Sequence, residues 1–342
     1  MSSTRKILGV AVLMLLASTV TWAQSLTGAG ATFPNPMYSK WFNEYKKLHP
    51  SVEINYQSIG SGAGIAQVTE GTVDFGASDG PMNDMQLADF QSKRGSAVLH
   101  FPTVLGAAVP IYNIEGVTGD LKFTQAALAG VYLGTITKWN DPAIAKANPG
   151  VKLPNNDIVV VHRSDGSGTT YIWVDFLSKA SPDWKSKVGV GTAVNWPVGL
   201  GGKGSEGVTG LVKQTPNSIG YVELIYAMQN NLSFGVVQNA AGEFVKASLA
   251  STTAAAAAAS QNMPADFRVS ITNAPGKGAY PIASFTWLLI PQKIADPAKK
   301  KVLTDFLSWM LNDGQGMTEA LAYARLPKEV QQMEMKAIAK IQ

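Results

Sequence analysis

The sequence predicts an α/β protein with about two domains of ordinary size. Short β-branched runs alternate with segments of helical periodicity along the chain, and this alternation is typical of α/β folds. The chain has 342 residues, which is enough for two domains that each bury a substantial core.

The first half of the chain is predicted to begin with a helix. Met37, Trp41, Tyr45 and Leu48 recur at helical spacing and predict a helix over 35–48. The further predictions for this half are a strand at 52–58, a helix at 64–70, a strand at 73–78, a β-like stretch at 98–112 interrupted by Pro102, a helix at 121–133 and a buried strand at 158–162.

The second half is predicted to be richer in helices. Helical periodicity is present at 171–177, 208–214, 223–229, near 243–262, at 296–311 and at 327–340, and an apolar strand is predicted at 284–290. The last helix is charged and amphipathic, so its polar face is expected to be solvated. Trp173, Trp287 and Trp309 lie in apolar surroundings and are predicted to belong to the core.

The N-terminus has the pattern of a cleaved secretory signal. Arg5 and Lys6 precede an apolar run over 7–17, and Thr21-Trp22-Ala23 approximates a small-x-small cleavage site. We therefore predict that 1–23 is a signal peptide; the alternative is an uncleaved anchor, although the run is too short to span a bilayer alone. The chain has no cysteine, which excludes a lipid anchor and disulfides and suits a bacterial periplasm.

Charge and histidine usage argue against two classes of function. The formal net charge is +4, two of these charges lie in the predicted signal, and no basic stripe is present, so no nucleic-acid partner is expected. His49, His100 and His162 are the three histidines of the chain. They are isolated and lack the spacing of metal ligands, so no metal and no cofactor are expected.

Glycine-rich turns with small hydroxyl side chains recur along the chain. They are Gly28-Ala-Gly-Ala-Thr-Phe33, Ile59-Gly-Ser-Gly-Ala-Gly64, Phe75-Gly-Ala-Ser-Asp79 and Asp165-Gly-Ser-Gly-Thr169. Three of the four lead toward a helix, whose first N–H groups are unpaired and carry partial positive charge. Such turns suit an oxyanion, although N-capping is the better explanation of any one of them alone. Their number favours a shared anion site, provided that the turns converge in space.

Ser167 lacks the neighbours of a catalytic nucleophile. A nucleophile elbow needs glycine two residues before the serine, where this chain has Asp165. No histidine is placed by a motif as its base, and no Walker A sequence occurs. Gly199–Gly204 matches the dinucleotide pattern G-x-G-x-x-G but follows Trp196-Pro197 rather than a clear strand. No catalytic residue is therefore assigned, and a binding protein is expected rather than an enzyme.

Several of these segments together resemble one known family. SLTGAGATFPNPMYSKW, YQSIGSGAG, TVDFGASDGPM, HRSDGSGTTY, WPVGLGGKG and IGYVE follow one another in this order. They resemble the PstS family, the periplasmic phosphate-binding proteins of phosphate ABC transporters. The resemblance extends from about residue 25 to the end and is looser over 230–280.

The resemblance implies a type II solute-binding fold of two α/β lobes, with the ligand in the cleft between them. Two hinge crossovers are expected near 103–107 and 279–284. Lobe 1 would be discontinuous, with residues 24–104 and 282–342, and lobe 2 would comprise 105–281. The family further implies a monomeric protein of the periplasm that binds inorganic phosphate with high affinity and delivers it to the transporter's membrane permease.

The resemblance also implies a set of ligand residues. The expected phosphate contacts are Thr32, Phe33, Ser61, Asp79, Arg163, Ser167, Gly168 and Thr169. Asp165 is expected to hold Arg163 in place. His162 stands where the family often has an arginine, a change that touches none of these contacts.

Asp79 is an unexpected residue in an anion site. Two like charges about 4 Å apart repel by about 4 kcal/mol at an effective dielectric near 20. A phosphate P–OH can instead donate a hydrogen bond to the carboxylate, which sulfate cannot do, so Asp79 is predicted to select for phosphate. The alternative is that Asp79 caps a helix near Pro81. A phosphatase, a sulfate or molybdate receptor and an additional adhesion role remain the competing functions.

Overall fold

A computed structural model describes residues 24–117, 119–260 and 262–342. The predicted signal peptide, residues 1–23, lies outside these ranges. Within them, no helix combines the length and the apolar character needed to cross a membrane.

The structure alternates strands and helices from its first described residue. The first elements are β1 (Gln24–Gly30), α1 (Asn35–Leu48), β2 (Val52–Ser58), α2 (Ser61–Glu70), β3 (Phe75–Ser78), α3 (Asp84–Arg94) and the long strand β4 (Val98–Asn113). Next come β5 (Lys122–Phe123), α4 (Gln125–Leu133), α5 (Pro142–Ala145), β6 (Val159–Arg163), α6 (Gly168–Ala180) and α7 (Pro182–Lys187).

The remaining elements complete the second lobe and return to the first. They are β7 (Leu200–Gly202), α8 (Gly204–Gln214), β8 (Ser218–Glu223), α9 (Leu224–Gln229), β9 (Ser233–Phe234), β10 (Val236–Gln238), β11 (Phe244–Val245) and α10 (Leu249–Ser260). The chain then forms β12 (Ala283–Pro291), α11 (Pro297–Asn312), two 3-10 turns at Gly314–Met317 and Glu319–Leu321, and α12 (Lys328–Ile338).

Strand β4 connects the two halves of the molecule. The main sheet has the order β2-β1-β3-β12-β4-β8-β6-β7, with β9 also paired to β4. Residues 98–107 of β4 pair with β12, whereas residues 108–113 pair with β8. One 16-residue strand therefore begins in one lobe and ends in the other, which gives the two-lobe α/β architecture that the sequence predicts.

Most predicted elements are confirmed, and the differences are local. The helix expected over 121–133 is divided, because β5 comes first and Thr124 caps α4 by accepting a hydrogen bond from Ala127 N. The segment near 243–262 likewise contains β11 before α10. Helix α6 begins at Gly168, where the Ser167 side chain caps it, and the periodic segment 171–177 continues it as predicted.

Aromatic clusters form the core of each lobe. In the first, Phe42 and Tyr45 of α1 pack against Phe306 of α11, each with a ring-centroid distance of 5.3 Å. In the second, Trp173 of α6 stacks on Tyr221 of β8 at 5.0 Å. The three predicted core tryptophans, Trp173, Trp287 and Trp309, are buried. The second cluster fixes α6, whose N-terminal turn carries Ser167 and Gly168.

Helix α12 contains a buried acid that its amphipathic pattern does not predict. The side chain of Glu334 is fully buried, and neither of its carboxyl oxygens has a hydrogen-bond partner among the described residues. Burial raises the pKa of Glu334 well above its usual range. The group therefore folds in its neutral form and destabilises the protein where the unfolded chain is ionised.

We expect Glu334→Met to raise the free energy of unfolding by about 1–3 kcal/mol at pH 7–8, because it removes an unpaired buried polar group. Because its pKa is raised in the folded state, Glu334 lowers the stability of the unmodified protein as pH rises above the ordinary glutamate pKa. The stability difference between Glu334→Met and the unmodified protein should therefore become smaller toward pH 4. Urea unfolding at several pH values measures both effects. Exposed Glu329→Met is the control, and an equal gain in both variants would contradict the assignment.

Candidate functional site

The four glycine-rich turns converge where the two lobes meet. Arg163 Nη1, at the end of β6, donates to Thr32 Oγ1 at 3.1 Å across the cleft. Ser61 Oγ, in the first turn of α2, accepts from Asp79 N at 3.2 Å. A Cβ atom on Gly168 would lie 2.4 Å from Ser61 Oγ and 2.6 Å from Asp79 N, so only glycine fits there. The convergence that sequence alone left open is thus present.

The predicted site residues are buried together. Thr32, Phe33, Ser61, Asp79, Arg163, Ser167 and Thr169 are each at most 3% exposed, and Gly168 is buried as well. Polar groups so far from water need internal hydrogen-bond partners or a ligand to compensate their desolvation. The partners of each group therefore indicate which atoms are available to a bound molecule.

The Arg163 guanidinium is fixed by Asp165. Arg163 Nε donates to Asp165 Oδ1 at 2.7 Å and Nη2 to Oδ2 at 2.5 Å, which is the bidentate geometry that arginine and carboxylate favour. Gly204 N, at the start of α8, donates to the same Oδ1 at 3.0 Å. Although burial opposes it, the bond to Arg163 holds the pKa of Asp165 below its usual range. Asp165 thus has the orienting position that was predicted.

The N-terminus of α6 presents hydrogen-bond donors to the cleft. Ser167 Oγ accepts from Thr170 N at 3.0 Å, so its own hydrogen is left to donate outward. The N–H groups of the first helical turn have no partner within the helix. Thr169 Oγ1 is buried and has no partner among the described residues. His162 Nδ1 lies 3.0 Å from the Arg163 carbonyl, so this ring nitrogen is engaged away from Ser167.

Asp79 presents a single free oxygen. Thr286 Oγ1 of β12 donates to Asp79 Oδ1 at 2.8 Å, while Oδ2 has no partner within the described part of the chain. Burial raises the pKa of Asp79 to about 7, against the opposing effects of the Thr286 bond, Arg163 and Ser61. The carboxyl group is therefore poised between its two protonation states near neutral pH.

The alternative role of Asp79 as a helix cap is wrong. Helix α3 begins at Asp84, and its N-cap is Asn83, whose side chain accepts from Gln86 N in a capping box. Residues 79–83 are not helical. The position of Asp79 in the cleft consequently needs another explanation than the start of a helix.

The structure adds residues that the sequence did not identify. Ser205 Oγ shares a hydrogen bond of 2.8 Å with Thr32 Oγ1, and Tyr226 donates to the Thr32 carbonyl at 2.6 Å. Tyr323 donates to the Phe33 carbonyl at 2.6 Å, and Thr286 supports Asp79. The sequence could have identified Ser205, because it follows a glycine-rich turn at the start of a helix. The two tyrosines and Thr286 lie in ordinary apolar patterns, which do not distinguish them from core residues.

The lobes touch through their backbones. Gly62 N donates to the Gly166 carbonyl at 2.9 Å, and a Cβ on Gly60 would lie 2.4 Å from Asp165 Oδ2. No group of three or more His, Cys, Asp or Glu side chains suitable for a metal ion occurs among the described residues. The arrangement is a closed cleft lined by hydroxyls, helix N-termini, the Arg163 guanidinium and the carboxyl groups of Asp79 and Asp165.

Two α/β lobes that close on such a cleft define a solute-binding protein of the periplasmic type. The sequence profile described as "PBP superfamily domain" matches residues 17–314 of this chain. Structural similarity agrees with this assignment of the fold. The structure of a high-affinity periplasmic phosphate-binding protein, PfluDING, bound with phosphate has a TM-score of 0.73 at 22% identity, covering 92% of this chain and 93% of that one.

Curated relatives specify the family further. The phosphate-binding protein PstS of Xylella fastidiosa (strain Temecula1) is 46% identical over 92% of this chain and 85% of its own length. PstS of Pasteurella multocida (strain Pm70) is 44% identical over 96% of this chain and 93% of its own. The chain belongs to the PstS family, as its glycine-rich segments suggested.

We expect Gly60→Ala to disfavour the closed cleft. Gly60 has φ 93° and ψ 151°, a backbone conformation almost confined to glycine that costs another residue about 1–3 kcal/mol, and its new methyl group would clash with Asp165. Small-angle scattering should therefore give a larger radius of gyration than for the unmodified protein in the same buffer.

Gly95→Ala is the matched control for this change. Gly95 also has a positive φ, of 60°, but no atom lies within 4 Å of the position of its Cβ. Gly95 is in the left-handed α conformation, so this variant introduces a strain of about 1–2 kcal/mol without a clash between the lobes, and its cleft should remain closed. Equal radii for the two variants would contradict the role of Gly60 in closure.

Proposed function

We propose that this protein binds inorganic phosphate with high affinity in its interlobe cleft and delivers it to the membrane permease of an ABC-type phosphate importer. The observation that carries the proposal is the pairing of several donors with a buried carboxyl oxygen, Asp79 Oδ2, that has no partner among the described residues. Relatives named phosphate-binding protein PstS are 44–46% identical over nearly the whole chain. Their names agree with the chemistry of the cleft.

The cleft suits a tetrahedral anion that still carries a proton. Hydroxyls of Thr32, Ser61, Ser167 and Thr169, with backbone N–H groups of Phe33 and Gly168, supply neutral donors; Arg163 supplies a fixed positive charge. Phosphate near neutral pH keeps at least one proton, since its second pKa is about 6. Its P–OH can donate to Asp79 Oδ2 while the other oxygens accept, whereas sulfate would place an unprotonated oxygen against the carboxylate.

The proposed lobes keep the boundaries that the family implies: 24–104 with 282–342 for lobe 1, and 105–281 for lobe 2. The change of partner along β4 supports the first crossover, since pairing with β12 ends at Ala107 and pairing with β8 begins at Ala108. The start of β12 at Ala283 supports the second. Both crossovers then lie side by side, as a hinge requires.

We place the protein in the periplasm as a monomer after removal of residues 1–23. The relatives are binding proteins by name, and the cleft offers Ser167 no basic partner, so no catalysis is assigned to it; neither cofactor, metal nor nucleic acid enters the proposal. The mass of the protein recovered from the periplasm tests the processing. A chain that retains residues 1–23 would contradict it.

Calorimetric titration of the ligand-stripped protein at pH 7 tests the proposal directly. We expect tight one-site binding of phosphate and no measurable heat with sulfate. Equal binding of both anions, or of neither, would overturn it. Hydrolysis of a chromogenic phosphate ester would favour a phosphatase instead.

We expect Asp79→Asn to reduce discrimination between phosphate and sulfate by several orders of magnitude. A buried site that hydrogen-bonds a proton of its ligand rejects an analogue without that proton by roughly 10⁴-fold. The asparagine amide can donate to an unprotonated oxygen, so sulfate should gain affinity as phosphate loses it. Competition between the two anions measures the ratio. Asp183→Asn, at an exposed position, is the control, and an unchanged ratio in Asp79→Asn would exclude Asp79 as the selective group.

A further inference from the structure

Strand β4 contains an irregularity directly beside the site. In its pairing with β12, Thr286 lies opposite Val104 and Trp287 lies opposite Pro102, so the register shifts by one residue. Thr103 is the extra residue of this β-bulge. Bulges occur next to functional sites, where they redirect a side chain, and Pro102 favours one here because it has no N–H to donate to the ladder.

The polar groups of the bulge are satisfied by specific side chains. Thr103 Oγ1 donates to the Thr286 carbonyl at 3.2 Å, and Tyr38 shares a hydrogen bond of 3.0 Å with the same hydroxyl. Gln315 Nε2 donates to the Thr103 carbonyl at 2.9 Å. Thr103 and Thr286 are both fully buried. The bulge is thus held in one arrangement, and that arrangement fixes the backbone of Thr286.

The side chain of Thr286 then has one short contact. Its Oγ1 is 2.8 Å from Asp79 Oδ1 and 3.5 Å from the Ser78 carbonyl. A hydroxyl has one hydrogen to donate, and the shorter contact receives it. Asp79 Oδ1 is thereby occupied by a donor, which leaves Oδ2 as the oxygen that faces the cleft.

We propose that Thr286, positioned by the bulge at Thr103, is a specificity-determining residue that favours Asp79 as the acceptor of a hydrogen bond from the ligand, so that the site selects a protonated oxyanion. The inference rests on the proposed function of the cleft. A hydrogen bond donated to one carboxyl oxygen stabilises the ionised form of the group, and an ionised Asp79 can only accept, so it disfavours an anion without a proton. A protonated Asp79 would instead donate, and that donor would suit sulfate.

The direction of the pH dependence follows from the groups around Asp79. Burial raises the pKa of Asp79 to about 7, and the Thr286 bond, Arg163 and Ser61 lower it. The other ionisable groups that interact with Asp79 are Tyr38 on α1, Tyr56 on β2, Glu223 on β8 and Tyr323 near the C-terminus. Removing the Thr286 hydroxyl should raise the Asp79 pKa further, so the fall in phosphate affinity on acidification should begin at a higher pH.

Thr286→Val tests the proposal because it keeps the shape and removes the donor. We expect phosphate affinity at pH 7 to fall about 10- to 100-fold, the range for a lost hydrogen bond to a charged group, with a gain in sulfate affinity. The pH midpoint of phosphate binding should also move upward. Thr286→Ser retains the hydroxyl and should restore the ratio and the midpoint.

Thr69→Val is the matched control, since Thr69 is buried in α2 and its hydroxyl donates to the Ile65 carbonyl, away from Asp79. It should leave the phosphate-to-sulfate affinity ratio unchanged.

If Thr286→Val does not fold, Thr286→Ala removes the same donor with less crowding. An unchanged ratio and midpoint in the folded variant, or equal weakening of both anions without a pH shift, would overturn the role of Thr286. Failure of the unmodified protein to prefer phosphate would instead overturn the proposed function itself.

Discussion

The buried ion pair between Arg163 and Asp165 is the constraint on which the cleft depends. A charge pair removed from water is tolerated only when further hydrogen bonds compensate the desolvation, and here Gly204 N supplies one to the carboxylate. The pair directs Arg163 Nη1 across the cleft to Thr32. The same carboxylate lies against Gly60, so the geometry of one pair sets the positions of β6, the start of α8 and the first two loops of the opposite lobe.

Most donors around this pair are neutral. Helices α2 and α6 point their N-termini into the cleft from opposite lobes, and fixed N–H dipoles and hydroxyls need no reorganisation when an anion arrives. The Asp79 carboxyl group differs from these donors because it offers an acceptor oxygen. Thr286 of β12 holds this group by a hydrogen bond. If the proposed function is correct, the cleft distinguishes its ligands less by their total charge than by the position of a proton on the ligand.

The sequence could predict the parts of this arrangement that have a local cause. The alternating pattern over 52–58 predicts β2, and the glycine-rich turns predict the loops because tight turns and helix starts need glycine and hydroxyl side chains. The short strands β5 and β11 have two residues each, too few for a periodic signal. Thr286 is one polar residue in a buried strand, and the role that we propose for it depends on a bulge in a segment distant in sequence.

The burial of the site residues has a kinetic consequence. With the side chains of the predicted ligand residues at most 3% exposed, a molecule bound among them is enclosed while the lobes touch. A captured ion can then leave only as fast as the lobes separate, so its residence time is the lifetime of the closed form. A partner that separates the lobes would accelerate release without competing for any atom of the ligand.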